Sequence, residues 1–390
     1  MRREEQTHRS SAQSSLIAPI AAFAAMAIWM GCGNGSASHS IEQPRFEPLG
    51  APTGIESTGA EGVSGDGQTV VGWGGSVLFQ GIPSTVALLW KRDGDVHELG
   101  VPGRAKRASD DGTIVAGDRL YQVVSRRYPI LTRAFVWSAE MGVRSLVPDE
   151  GHTIALTVTA LSSDGSTVVG QSREPGRIGA YSWTAIRGLE SLPRLDRDAN
   201  HVPMAIVADG STVFGYLNTC EGALEGESSA IRWSGDGSIA ILPSVDGRCS
   251  CVTSDVSPDG KFVVGTCYER VGSPDVYSDV PAAVRWGELR GEILSSPWDE
   301  SYSFATATSA DGSVVVGTVD VGGTRSAFVW MAPTGMRLLA DLLSEADVTV
   351  PEGWILADGI DVSDDGRVVV GTAVLPDGRT NAFRAVIPQV

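Results

Sequence analysis

The chain has little of what most catalytic and nucleic-acid-binding proteins rely on. Its 390 residues hold five histidines, and His8, His39, His97, His152 and His201 form no HxH or HExxH pair, so zinc chemistry has no ligand set to start from. There is no Walker loop, no GxSxG elbow and no dinucleotide fingerprint, and the glycine-rich GWGGS at 72–76 opens no helix. Lys and Arg together number 30 against 47 Asp and Glu, a net charge of −17 that repels a phosphate backbone and excludes nucleic acid as a partner. Hardly any stretch shows the 3.6-residue apolar spacing of a surface helix. No cofactor and no metal ion is expected.

What is abundant is glycine, 47 residues, together with repeated valine pairs. One phrase recurs seven times: VSGDGQTVVG at 63, ASDDGTIVAG at 108, LSSDGSTVVG at 161, IVADGSTVFG at 206, VSPDGKFVVG at 256, TSADGSVVVG at 308 and VSDDGRVVVG at 362. Ser-x-Asp-Gly between apolar residues is a hairpin signal, because the Ser and Asp side chains bond nearby backbone N–H groups and the Gly takes the left-handed conformation. The repeated Asp residues therefore read as turn formers, and no loop has the DxDxDG spacing of a calcium site. A second phrase follows each hairpin: ALLW, AFVW, AYSW, AIRW, AVRW and AFVW, ending at Trp90, Trp137, Trp183, Trp233, Trp286 and Trp330, then AFRA ending at Ala385. One tryptophan per unit at a fixed place is packing between units. A third phrase (VHELG, VRSLV, LESLP, IAILP, EILSS, MRLLA) supplies another strand, and the stretch entering each turn a fourth.

Four antiparallel strands repeated seven times predict an all-β fold, a seven-bladed β-propeller of four-stranded blades over residues 45–390. FEPLG at 46–50 matches the third phrase but precedes the first hairpin, so the N-terminal strand is expected to close the ring beside the C-terminal AFRAVIPQV. An open solenoid or another blade number is the rival. The repeats resemble the HAF repeat of bacterial extracellular proteins, although Val86, Arg133, Gly179, Ser229, Ala282, Ser326 and Asn381 stand where that family has His. The resemblance implies a secreted, propeller-like protein and no particular activity.

The first 31 residues have the layout of a signal peptide: Arg2 and Arg3 near the front, then an apolar run from Leu16 to Met30. Gly31-Cys32 resembles the lipobox of bacterial lipoproteins, which implies a lipid on Cys32 and a flexible linker over 32–44. The expected location is the outer membrane or cell surface, with a periplasmic or secreted protein as the alternative, and the lipid as the sole membrane contact. Four cysteines remain for an exported chain. Cys251 and Cys267 face each other if the hairpin is symmetric about the 257–261 turn, and Cys220 is then left for Cys249.

In a propeller the strand entering each turn lines the axial channel. Five residues before the turn glycine stand Gly62, Arg107, Ala160, Ala205, Asp255, Ala307 and Asp361. Arg107, Asp255 and Asp361, with Glu61, Lys106 and Asp358 beside them, are the candidate ligand-binding group, set against the plainer reading of channel walls and local salt bridges. The functional expectation is a monomeric, non-catalytic binding or scaffold module for a glycan, peptide or envelope protein. The alternative is a carbohydrate hydrolase or lyase that uses the channel carboxylates.

Overall fold

In the computed structural model the described residues are 42–388, apart from 80–81, 123–129, 149–153, 175–176, 197–198, 219–227, 249, 274–275, 288–289 and 299–300. The expected signal segment, Cys32 and most of the linker lie outside them, as do Cys220 and Cys249.

The short strand β1 (Arg45–Pro48) is followed by β2 (Thr58–Val63), β3 (Thr69–Phe79), β4 (Ile82–Lys91), β5 (Val96–Ala108), β6 (Ile114–Gln122), β7 (Ile130–Ser138) and β8 (Gly142–Ser145). Three sets of four come next: β9 (Ala155–Leu161), β10 (Thr167–Glu174), β11 (Arg177–Thr184) and β12 (Gly188–Ser191); β13 (Asn200–Ile206), β14 (Val213–Asn218), β15 (Ser228–Trp233) and β16 (Ile239–Ile241); β17 (Ser250–Val256), β18 (Val263–Ser273), β19 (Val276–Trp286) and β20 (Gly291–Ile293). After β21 (Tyr302–Thr308), β22 (Val314–Val321), β23 (Thr324–Met331) and β24 (Gly335–Leu338) comes one helix, α1 (Leu339–Glu345), and then β25 (Ile355–Val362), β26 (Val368–Val374) and β27 (Thr380–Val386).

The blade count departs from expectation. Five four-stranded antiparallel blades form, β9–β12, β13–β16, β17–β20, β21–β24 and β25–β26–β27–β1, while β2 through β8 make one continuous seven-stranded sheet. The arrangement is a β-propeller ring with five such blades, not seven. The reason lies in β5, which runs unbroken from Val96 to Ala108, its first part paired with β4 and its second with β6. The pairing with β4 runs to Pro102, which faces Val86, and that with β6 begins at Gly103, which faces Arg119, so no loop intervenes, and positive φ at Gly100 and Gly103 lets the strand bend and continue. The MRLLA phrase also splits: β24 stops at Leu338, and Leu339, Leu342 and Leu343 form the buried stripe of α1.

Each Asp-Gly turn is built as its residues dictate. At the first, Ser64 Oγ donates to Asp66 Oδ1 at 2.6 Å, the Gln68 and Thr69 amides bond Asp66 Oδ1 and Ser64 Oγ at 2.9 Å, and Gly67 has φ 69°. The same bonds recur at Ser257, Asp259, Lys261 and Phe262. Hydrophobic clusters fill the spaces between neighbouring sheets, such as Val369, Phe383 and Leu356 against Val316, Val329 and Leu339. Three slot tryptophans tie adjacent sheets with their indole N–H: Trp90 donates to Gly50 O at 2.6 Å, Trp233 to Pro193 O at 2.8 Å and Trp286 to Pro243 O at 2.9 Å. Cys251 faces Cys267 across β17 and β18, and a disulfide joins them.

Candidate functional site

The inner strands lie side by side around the axis, β2 between β25 and β5. The turns that end them are linked by backbone bonds, Asp66 N to Asp110 O, Asp110 N to Ser163 O, Ala310 N to Asp364 O and Asp364 N to Gly65 O, each 2.9 Å. Every inner strand carries a β-bulge, and in every one the shift falls immediately before the residue five positions ahead of the turn glycine: Gly62, Arg107, Ala160, Ala205, Asp255, Ala307 and Asp361. A bulge re-aims the side chain that follows it. The repeat thus positions these seven residues alike.

Arg107, Asp255 and Asp361 are all half-buried. Asp255 Oδ2 accepts the Thr308 amide of the next inner strand at 3.0 Å. Asp361 does the equivalent, its Oδ2 taking the Val63 amide at 2.9 Å while its Oδ1 takes the Val362 amide. Arg107 points the other way round the ring and donates to the Glu61 and Lys106 carbonyls at 2.9 and 2.8 Å. Gly62 leaves room beside Asp361, since a Cβ there would stand 2.8 Å from Lys106 O and 3.4 Å from Asp361 Oδ2.

Burial pushes the Asp255 carboxyl up to about 7, the like charge of Asp361 adds to the push, and the Thr308 and Val256 amides and Arg107 oppose it. Asp361 is also raised by burial, against the pull of Arg107 and the Val63 and Val362 amides. Toward the turns stands a second pair. Burial lifts Asp364 to about 6, aided by Asp110, Asp361, Asp365 and Asp66, and burial likewise raises Asp110. Gly65 separates them: a Cβ there would lie 2.7 Å from Asp364 Oδ2 and 3.0 Å from Asp110 Oδ1. The position just before the turn Asp, which the sequence reading passed over, thus contributes carboxylates of its own.

The three neighbours expected to join the cluster go elsewhere. Glu61 pairs with Arg104 at 2.8 Å. Lys106 pairs with buried Asp118 and donates to Val158 O, while Asp118 Oδ1 accepts the Val158 amide, which ties β6 to β9. Asp358 takes Thr318 Oγ1 and Arg325. For Glu61 and Lys106 the bulge explains this, since each is the extra residue of its strand and is sent to a different neighbour from the residue that follows, whereas Asp358 stays in register opposite Thr372 and turns to β22 and β23. Among the described residues no group of three His, Cys, Asp or Glu side chains could hold a metal ion, and no helix is long and apolar enough to cross a membrane.

The raised carboxylates set a sign for pH dependence. A carboxyl whose folded pKa exceeds its unfolded value gives stability that is complete below the unfolded pKa and is lost as pH rises through the folded one. For Asp255 that window runs from about pH 4 to about 7, and for Asp364 to about 6. Asp259, lowered to about 2 by its bonds to Lys261 and Ser257, acts oppositely and loses its contribution below about pH 4. The melting temperature is therefore expected to rise by a few degrees from pH 8 to pH 5. The Asp255 part is at most about 4 kcal/mol, and less because the side chain is half-exposed. Asp255→Asn keeps the acceptor for Thr308, so it should raise the pH 8 melting temperature and flatten the profile. A parent profile that falls from pH 8 to pH 5 would refute the assignment.

No family model matches the chain, and the comparison with curated proteins finds no match. Solved structures do match. The oligogalacturonate lyase of Vibrio parahaemolyticus is 16% identical over 89% of this chain and 98% of its own, with a TM-score of 0.54. An oligogalacturonate lyase in complex with manganese is 16% identical over 89% and 97%, with a TM-score of 0.55. The β-propeller domain of the Trilobed protease from Pyrococcus furiosus is 10% identical over 84% and 95%, with a TM-score of 0.54. At such identities the likeness establishes the β-propeller fold alone, and the HAF-type resemblance reduces to that fold.

Proposed function

We propose that the protein is an exported, lipid-anchored β-propeller that acts as a non-catalytic binding or scaffold module at the cell envelope, offering its channel to a glycan, a peptide or an envelope protein. The observation that carries this reading is the commitment of the channel carboxylates. Asp361 has both oxygens engaged by backbone amides and Asp255 Oδ2 holds Thr308, so the groups that would serve as a free acid and base pair instead fasten neighbouring strands. What they offer a ligand is a fixed pattern of charge next to the Arg107 guanidinium. The anchor rests on Gly31-Cys32 and the apolar run before it.

A hydrolase or lyase is the second reading. It is favoured by Asp255, whose pKa of about 7 suits a general acid, and by the oligogalacturonate lyases that share the fold. Glycan and peptide arrays, followed by mass spectrometry of the captured compound, separate the two. The binding reading expects the compound to be recovered unchanged, and expects Asp255→Asn/Asp361→Asn to weaken capture by at least about tenfold. Cleavage by the parent that disappears in the double variant would establish the enzyme instead.

A further inference from the structure

On the face that carries the Asp-Gly turns, a groove runs between each third strand and the turn of the next unit. The molecule fills several of these grooves with its own cations. Arg285, just before Trp286 in β19, lies over the Phe262 ring (5.5 Å) and the Trp330 ring (4.6 Å), bonds the Gly312 carbonyl of the next turn and is neutralised by Glu292. Arg384 does the same between β27 and the first turn: it bonds Gly67 O at 3.0 Å and pairs with Glu47 at 3.1 Å. Lys91 reaches Gly112 O.

Between β7 and β11 the plug is missing. Val136 stands where Arg285 stands in its own groove, Ile114 replaces Phe262, Gly165 replaces Gly312 and Trp183 replaces Trp330. A cavity of about 500 Å³ results, lined by Ile114, Val136, Gly165 and Trp183 and rimmed by Met141, Arg144, Ile186 and Arg187. Ile186 and Met141 are 96% and 54% exposed, large apolar side chains held in water at its edge. Unlike Trp233 and Trp286, whose indole N–H groups are used, Trp183 has no hydrogen-bond acceptor among the described residues. Arg144 has no ion-pair partner among them either, and Arg187 has only a loose exposed pair with Glu190 at 3.5 Å. On a chain of net charge −17, two arginines at one rim are a local reversal of sign.

We infer that this groove is a binding site for an organic anion with a flat apolar body, an aromatic carboxylate or sulfonate. The body takes the slab of space over Trp183 that a guanidinium occupies over Trp330, and the anion meets Arg144 and Arg187. A cation of the same shape is rejected by those two charges. The equivalent groove at Trp286 is less suited, because Arg232 already stands in the plug position there. The site is separate from the channel and independent of its role.

The test uses the purified chain and two probes with nearly the same rings, anionic 8-anilinonaphthalene-1-sulfonate and neutral N-phenyl-1-naphthylamine. Saturable one-to-one fluorescence enhancement is expected with the sulfonate. Arg144→Gln/Arg187→Gln should weaken the sulfonate by at least about tenfold and the neutral probe by less than about twofold. Arg144 faces Val136 as Glu292 faces Arg285, so Val136→Arg/Arg144→Glu rebuilds the plug with its neutralising partner and should abolish binding of both probes in a folded protein, whereas Asp255→Asn/Asp361→Asn should leave both unchanged. No saturable binding by the parent, an equal loss of the two probes in the double-glutamine variant, or undiminished binding in a folded Val136→Arg/Arg144→Glu would each overturn the inference.

Discussion

Gly371→Ala is expected to cost at least about 3 kcal/mol, enough to lower the melting temperature of the whole propeller. The φ angle is not the cause, since Gly371 is absent from the positive-φ glycines. The bulge in β25 pushes the Asp358 carbonyl into the place of the missing side chain, and a Cβ on Gly371 would sit 1.8 Å from that oxygen. Nothing there can give way, because the intruding atom is backbone held in the sheet. The last glycine of the repeated Val-Val-Gly phrase meets the same obstacle elsewhere: Gly170 against Thr157 O at 1.9 Å, Gly265 against Val252 O at 2.0 Å and Gly317 against Phe304 O at 2.0 Å. Gly94→Ala is the control. It has φ 92° and open space around it, so only the conformational cost of about 1–2 kcal/mol applies. Urea denaturation of the two variants decides the matter. If Gly371→Ala is no worse than Gly94→Ala, the close approach is not what fixes the glycine.

Removing residues 42–50 is the second large effect. β1 pairs with β27 from Arg45↔Val386 to Pro48↔Phe383, and Leu49 N extends the ladder to Ala382 O at 2.9 Å. Phe46 packs on Trp354 and Phe383 with ring centroids 6.2 and 5.6 Å apart, and Gly50 O accepts the Trp90 indole. The truncation also takes Glu42 and Glu47 from Arg384, which is only 2% exposed. A buried guanidinium left without its carboxylates costs about 3–5 kcal/mol. The bared edge of β27 adds a tendency to self-associate. A chain starting at residue 51 should therefore melt well below one starting at residue 42 and elute partly as aggregate in size-exclusion chromatography. Equal melting and a clean monomer would show that β1 is dispensable.

The turns and the four-strand units were legible because each depends on residues close together in the chain, and the partnership of FEPLG with AFRAVIPQV because the first segment carries the strand phrase that the last unit lacks. The blade count was not. A repeat in sequence marks where strands recur but not where one sheet stops, and β5 passes from β4 to β6 between the adjacent residues Pro102 and Gly103. Helix α1 was hidden because Leu339 belongs to a strand phrase and a helical stripe at once. For the channel, the shared place five residues before the turn glycine marked Arg107, Asp255 and Asp361, and Glu61, Lys106 and Asp358 were joined to them only as near neighbours. The bulges that separate the two sets leave no mark except the glycine on the opposite strand. The open groove at Trp183 was invisible because it is defined by what Val136 fails to supply.

The pairing of β1 with β27 also determines how the protein responds to load. Arg45 and Val386, the first residue of β1 and the last of β27, sit opposite each other at the same end of an antiparallel ladder. A tether at the N-terminal side and a pull on the C-terminal side would open that ladder like a zipper, one rung at a time, instead of shearing all its rungs together. The ring would yield first at this seam and at low force, with the other sheets still folded. Load applied through the Asp-Gly turns would instead be shared along the linked backbone bonds from Ala310 through Asp364 and Gly65 to Asp110.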